Sequence, residues 1–513
     1  MPRYGYGYAY PTARPRIAAS LGPPVADAGL SGFWKAASLS NGAAASWTSL
    51  DYIAQAVSQA TGANQPTKGA TGLVFDGTDS LTRTNQKTAF VKGTQVPDLV
   101  GAVAGRGVVC TGLAIAPDGT FWMTSHGDQS NNRDGSGTFA PALMHFGKNA
   151  DGTIDMSNVL LNYNLATTYS GIGSVQGIVY DKSDDTLWIA DNLASKVRHV
   201  ALDGSALSGD ISPGYVPNGI ARDHANDIMW VWQEAGAGST IGKFNCATGA
   251  LIGSTASMPR TQADHLFFDD SSRTLFASYG ANGSPCSIDL FNVDGTALYF
   301  LIGTLTLTEC DANEGFVVVP TLTGQKIIIC NDADYHRSSG TNPTLNRVLE
   351  FNLAKPSGLI CDIFGKVIVP TTTGTDAIFT IGDPLASATT GLGLYTAGAT
   401  DLRLFANDGS TGTTHQISQT FTVSSMATVA KVFYGRIDTL NDTISMWIGG
   451  TLVTASTGKS AYLGPLGGGG TLRIGNAADT RPPTMTLLGI GLSFRDDLTN
   501  DPRTSWETYL AGL

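Results

Sequence analysis

A chain of 513 residues is too long for one ordinary core, so two or three domains are expected. Only 14% of the residues are charged and 62 are glycine, a palette of short strands and tight turns that excludes an α-rich fold. The formal charge of −11, with no cluster of Lys and Arg, excludes a nucleic-acid partner, because phosphate binding needs grouped cations to release counterions.

Taken in chain order, the opening MPRYGYGYAYPTARPRIAASLGPP has no continuous apolar stretch of the secretory kind, and no later run is long enough to span a bilayer. Residues 1–24 read as a Tyr/Pro/Arg-containing arm suited to docking on a larger assembly, in a protein made and assembled in a cytoplasm. Residues 25–95 follow with VADAGLSGFWKAASLS and GLVFDGTDSLTRT, and a short helix is expected near Asp51 to Ala60.

From residue 96 to 370 one pattern recurs five times: a polar residue, Gly or its substitute, an apolar strand, a polar turn and a second strand. The copies are TGLAIAPDGTFWMTS from Thr111, QGIVYDKSDDTLWIAD from Gln176, NGIARDHANDIMWVWQ from Asn218, DHLFFDDSSRTLFASY from Asp264 and EGFVVVPTLTGQKIIICND from Glu314. A third strand follows each, as in KVRHVALDG and SIDLFNVDG. The last four starts are 42, 46 and 50 residues apart, close to the length of a propeller blade, and one such blade must stack on neighbours to bury both faces. Five copies can close a ring, and a sixth blade assembled from Val96–Gly105 with Ile360–Val369 stays open as an alternative. This rhythm, with the aromatic residue of TFWMTS, TLWIAD and IMWVWQ, resembles the NHL-type and gluconolactonase-like propellers.

Residues 371–513 return to a sandwich-like pattern in DLRLFANDG, VAKVFYGRIDTLNDTISMWIGGTLVTAS and TLRIGNAAD, with a second helix near Asp501 to Leu510. Val432, Tyr434, Ile444, Met446 and Ile448 alternate as in strands with one buried face. VFDGTDSL and the closing IGLSFRDDLTNDPRTSWETYL resemble concanavalin-A-like and laminin-G-like jelly rolls. The fold class is therefore all-β, a five- or six-bladed propeller inserted in, or flanked by, such a sandwich. Insertion is favoured because FDGTDSL is an internal strand of these sandwiches; an N-terminal anchor, a propeller and a separate C-terminal sandwich is the rival layout.

Three sets of residues could carry function. At the blade starts Gln176, Asn218, Asp264 and Glu314 would converge on one channel mouth, two carboxylates and two amides suited to a hard cation such as Ca²⁺. The resemblance to gluconolactonase-like and paraoxonase-like families implies a catalytic divalent metal on Glu314 and Asn218, and more loosely on Asp264 and Gln176. His265 or His126 could then act as base. In the sandwich, Trp34, Asn407, Asp408, Trp447, Asn476 and Asp479 are candidates for binding a glycan through aromatic faces and hydrogen-bonding edges. Cys110, Cys246, Cys286, Cys310, Cys330 and Cys361 lack CxxC spacing and read as buried free thiols. Asp184, Asp185, Asp269 and Asp270 read as turn residues, and no nucleophile elbow, P-loop or HExxH is present.

The resemblance points to a virion component of a tailed phage or gene-transfer particle: a fibre, spike or decoration, oligomeric, non-catalytic and binding host-surface glycan. A metal-dependent lactonase or esterase, and a secreted adhesin or interaction scaffold, are the alternatives.

Overall fold

The computed structural model describes residues 30–36, 42–43, 46–48, 56–58, 65–68, 73–76, 81–83, 86–97, 99, 102–103, 107–126, 140–233, 240–255, 263–280, 286–294, 298–307, 309–321, 324–332, 346–353, 357–358, 360–371, 377–382, 390–396, 401–408, 416–422, 429–439, 441, 443–453, 466–467, 472–475, 484–495 and 501–513. The architecture is all-β: a five-bladed propeller and a two-sheet sandwich. The arm expected at 1–24 lies outside the described residues.

Blade 1 is built from Cys110–Ile115, Phe121–Ser125, Ala142–Lys148 and Ile154–Asn164; blade 2 from Val175–Asp181, Thr186–Asp191 and Lys196–Val200. Blade 3 comprises Pro217–Asp223, Ile228–Gln233, Ile241–Asn245 and Leu251–Ser254, and blade 4 comprises Leu266–Asp269, Thr274–Tyr279, Ser287–Asp294 and Leu298–Thr306. Blade 5 takes Asn313–Thr321, Gly324–Asp332 and Asn346–Leu353, then receives its outer strand, Gln86–Gln95, from the chain ahead of blade 1. Innermost strands such as Pro217–Asp223 are buried along their whole length, because a neighbouring blade covers each face. In three blades the residue before the second strand (Asp185, Asp227 and Arg273) has φ between 54° and 56°, the left-handed turn that reverses the chain tightly.

The ring closes through close backbone approach at the second position of each repeat. A Cβ on Gly112 would lie 2.6 Å from Gln176 O, one on Gly177 2.9 Å from Asn218 O, one on Gly219 2.9 Å from the His265 backbone, and one on Gly315 2.6 Å from Gly112 Cα. Any side chain at these four positions would overlap the next blade. Blade 4 carries His265 there instead, and its ring packs edge-on against Phe316 of blade 5 at 5.6 Å.

The sandwich draws both sheets from both flanks of the propeller. One sheet runs in the order Gly42–Ala43, Thr67–Lys68, Leu73–Asp76, Thr484–Arg495, Ile360–Thr371, Lys431–Asp438, Thr443–Ile448, Thr451–Val453, with Leu30–Lys35 also paired to Thr484–Arg495. The other runs Ser46–Thr48, Ala56–Ser58, Leu81–Arg83, Leu472–Ile474, Ala377–Gly382, Thr390–Thr396, Asp401–Asp408, Gln416–Thr422. Trp34 and Leu73 share one core with Ile363, Phe379, Leu404, Phe433, Met446 and Leu492. On the outer face of the first sheet the helix Arg503–Ala511 lays Trp506 and Leu510 over Phe364, Val432 and Tyr434.

Four sequence expectations change. Ile360–Thr371 pairs with Lys431–Asp438 and Thr484–Arg495, so it is a central sandwich strand and supplies no sixth blade. Pairing likewise puts Gln86–Gln95 on the propeller side of the expected border at 95 and Ile360–Thr371 on the sandwich side of that at 370. Ala56–Ser58 is a strand paired with Ser46–Thr48, where a helix was expected across Asp51 to Ala60; cross-strand pairing overrides local propensity. Val432 and Tyr434 do not share a buried face with Ile444 and Met446: Tyr434 stands opposite Trp447 under the helix, while Gly435 stands opposite Met446 on the core side.

Candidate functional site

The blade-start residues sit one position ahead of the close-approach ring and follow one another around it. Hydrogen bonds at these starts join neighbouring blades: Thr111 Oγ1 donates to Val175 O at 2.7 Å, Thr124 Oγ1 to Gln176 O at 2.7 Å, and Ser278 Oγ to Glu314 O at 3.2 Å. Gln176 is buried, its amide donating to Ser174 Oγ at 3.5 Å, and that hydroxyl is also 2.9 Å from His126 Nε2. His126 thus spans blades 1 and 2 by hydrogen bonding. Asn218 is buried with Oδ1 unpartnered, whereas Asp264 and Glu314 both have partners. Among the described residues no three His, Cys, Asp or Glu side chains gather closely enough to hold a metal. Ca²⁺ takes six to eight oxygens, and in this set the buried Asn218 Oδ1 is an oxygen without a hydrogen-bond partner.

The opposite end of the same axis is hollow. A cavity of about 330 Å³ is lined by the far ends of the innermost strands and their turns, with Leu113, Ile115, Ile178, Leu266, Phe267 and Phe268 in its wall and His265 inside. Its rim is polar and tightly tied. Lys182 N–H donates to His224 Nε2 at 3.2 Å, which assigns the ring proton to Nδ1, 2.7 Å from Asp270 Oδ2. Lys182 Nζ reaches the same carboxylate oxygen at 2.7 Å. Burial raises the Asp270 pKa, but the bonds from His224 and Lys182 outweigh it and hold the carboxyl below its ordinary value. Asp269 accepts from Ser271 N–H at 3.0 Å, as a turn aspartate does, while Asp270 ties blade 4 to blades 2 and 3.

His265 is fully buried; burial drives its pKa down to about 3, with a backbone hydrogen bond to Leu113 opposing, so the imidazole is neutral. Its Nδ1 has no hydrogen-bond partner. A neutral ring walled in by Gly177 and Phe316 is a plug between the two mouths and is not placed to activate water as a base.

Of the sandwich candidates, Trp34 is wholly buried in the core and offers no face to a sugar. Trp447 is partly exposed, edge-on to Tyr434 at 6.2 Å, with the Arg503 and Arg436 guanidiniums 4.7 and 5.7 Å from its ring centre. Asn407 and Asp408 close the strand Asp401–Asp408, and nothing is described of their side chains. Asn476 and Asp479 lie outside the described residues.

Two features escaped the sequence reading. The cavity wall comes from the ends of several blades, which no single motif displays. Each of the first three blades also stacks a cation-capable side chain on its tryptophan. Trp122 lies on His145 at 4.0 Å, Trp188 on His199 at 4.1 Å, and Lys243 Nζ sits 6.0 Å from the Trp230 ring. The available signal was the third-strand residue opposite each tryptophan, His145, His199 and Lys243.

No family model matches the chain, and no curated protein matches it. Among solved structures it is similar to a gluconolactonase from Xanthomonas campestris, at 17% identity and a TM-score of 0.31 over 58% of this chain and 93% of that one. It is similar to the PQQ-bound aldose sugar dehydrogenase of Streptomyces coelicolor, at 12% identity and a TM-score of 0.31 over 55% and 90% of the two chains. A chain of a nidogen/laminin complex matches at 13% identity and a TM-score of 0.32, over 52% of this chain and 98% of that one. These neighbours are β-propeller proteins; identity and TM-score are too low for their chemistry to carry over to this chain.

Proposed function

We propose that the protein is a non-catalytic attachment component of a tailed-phage or gene-transfer virion, a fibre, spike or decoration that binds a bacterial surface glycan. The observation carrying the binding role is the axial cavity, whose volume of about 330 Å³ falls within the range of small-ligand pockets. Its apolar wall with Phe267, and its rim of Lys182, His224 and Asp270, match a sugar's apolar ring face and hydroxyl edge. Trp447 is the sandwich position that supports a second contact. In this reading residues 1–24 dock on other virion proteins, the strands flanking the propeller together with Ile360–Thr371 form one lectin-like body, the five blades with Gln86–Gln95 form the propeller, and the chain acts as a homo-oligomer.

A glycan array probed with the full chain tests it, followed by Phe267→Ala, Asp270→Asn and Trp447→Ala. Binding to a bacterial polysaccharide that falls at least tenfold in the first two variants is the expected result. Hydrolysis of lactones or esters that a chelator abolishes would replace this reading with the metal-dependent enzyme. Finding the chain's peptides in purified particles tests the virion assignment separately.

A further inference from the structure

All six cysteines are buried and none is in a disulfide, yet four of them stand in two pairs across blade borders. Cys110 opens the innermost strand of blade 1 and Cys330 lies on the second strand of blade 5. They share one apolar cluster, and Cys330 Sγ lies 3.9 Å from the carbonyl oxygen of Gly112, two residues beyond Cys110. Cys286 leads into the third strand of blade 4, and Cys310 precedes the first strand of blade 5. These two share another cluster, and Leu307 N–H donates to Cys286 O at 3.1 Å, tying the segment that leads into Cys310 to Cys286. Cys246 and Cys361 lie in different clusters, away from these pairs.

We propose that Cys110 with Cys330, and Cys286 with Cys310, are the sites of two inter-blade disulfides that form when the folded chain meets an oxidising environment. The oxidant is a small disulfide such as oxidised glutathione. One thiol, as its thiolate, attacks the glutathione disulfide and releases one reduced glutathione; the second displaces the other glutathione and leaves the protein S–S bond. Each bridge removes two hydrogens from the protein, and both appear on two molecules of reduced glutathione. Burial and the neighbouring Cys110 thiol hold Cys330 well above the ordinary thiol pKa, and the neighbouring Cys286 thiol with burial does the same for Cys310. Exchange therefore waits on opening of the blade borders, and the pairs stay reduced through assembly in a reducing cytoplasm. Once made, the bridges fasten blade 5 covalently to both its neighbours. The inference stands whether or not the axial cavity binds glycan.

Full-length protein purified under reductant is incubated in a glutathione redox buffer, alkylated after denaturation, digested without reduction and mapped by mass spectrometry. Peptides joining Cys110 to Cys330 and Cys286 to Cys310 are expected, with Cys246 and Cys361 alkylated and a higher Tm that dithiothreitol reverses. Cys110→Ser should abolish only the first bridge and Cys286→Ser only the second. Absence of both joined peptides after prolonged incubation of folded wild-type protein, or joining to Cys246 or Cys361 instead, would overturn the proposal; the wild-type map decides even if a variant fails to fold.

Discussion

His265 shows how one residue can break a repeat for a purpose. Four blades place glycine at the close-approach position, and blade 4 places an imidazole whose folded-state pKa is about 3 against an ordinary 6.5. Between those values the unfolded chain takes up a proton that the folded protein refuses, so stability is complete above about pH 6.5 and is lost as pH falls toward 3. In His265→Phe, which keeps a ring in the plug but cannot titrate, the urea midpoint should fall less steeply across that window, by the slope of about one proton. An unchanged slope would remove His265 from the acid response.

At the scale of elements, the C-terminal helix is held by charge as well as by Trp506. Asp362, wholly buried, accepts from Arg436 Nε at 2.7 Å and from Tyr434 OH at 2.8 Å, and pairs with Arg495. Asp501, just ahead of the helix, accepts from Arg436 Nη2 at 2.8 Å; burial raises its pKa, but Arg436, the Arg503 backbone and Arg495 together hold it at about 2. Asp362→Ala leaves two guanidiniums buried beside a lost partner and should cost about 3–5 kcal/mol in urea unfolding. Trp188→Ala, which removes the buried ring beneath His199, should cost about 3–5 kcal/mol by the same measurement. The five repeats were legible because turn and strand signals recur together, and the helix at the C-terminus was legible from DPRTSWETYL. The face assignment of Val432 and Tyr434 was not, since an apolar alternation has the same spacing whether a sheet's other side meets solvent or a helix.

For the whole molecule, the propeller and sandwich could be read from residue patterns, while the strand that closes the ring could not. QKTAFVKGTQ sits directly behind sandwich strands, and only its pairing with Asn346–Leu353 assigns it to blade 5. The axial cavity was hidden for a related reason: Leu113, Ile178, Leu266 and Lys182 become neighbours only when separate repeats meet around an axis. Ring closure itself predicts that Gly315→Val, whose Cβ would fall 2.6 Å from Gly112 Cα, abolishes cooperative unfolding in circular dichroism.

The outer strand of blade 5 also sets a timetable for synthesis. Gln86–Gln95 leaves the ribosome before any blade exists; its first two residues pair with Leu298–Thr306 of blade 4, and its long antiparallel partner Asn346–Leu353 emerges only after four blades have been made. Until then the growing chain carries an unfinished arc with two uncovered ends, and the sandwich waits longer still, for Thr484–Arg495 to reach Leu30–Lys35. Closure is nested like brackets in chain order, the inner pair shutting before the outer, so a nascent chain stalled between those two events would carry a finished ring and an incomplete sandwich.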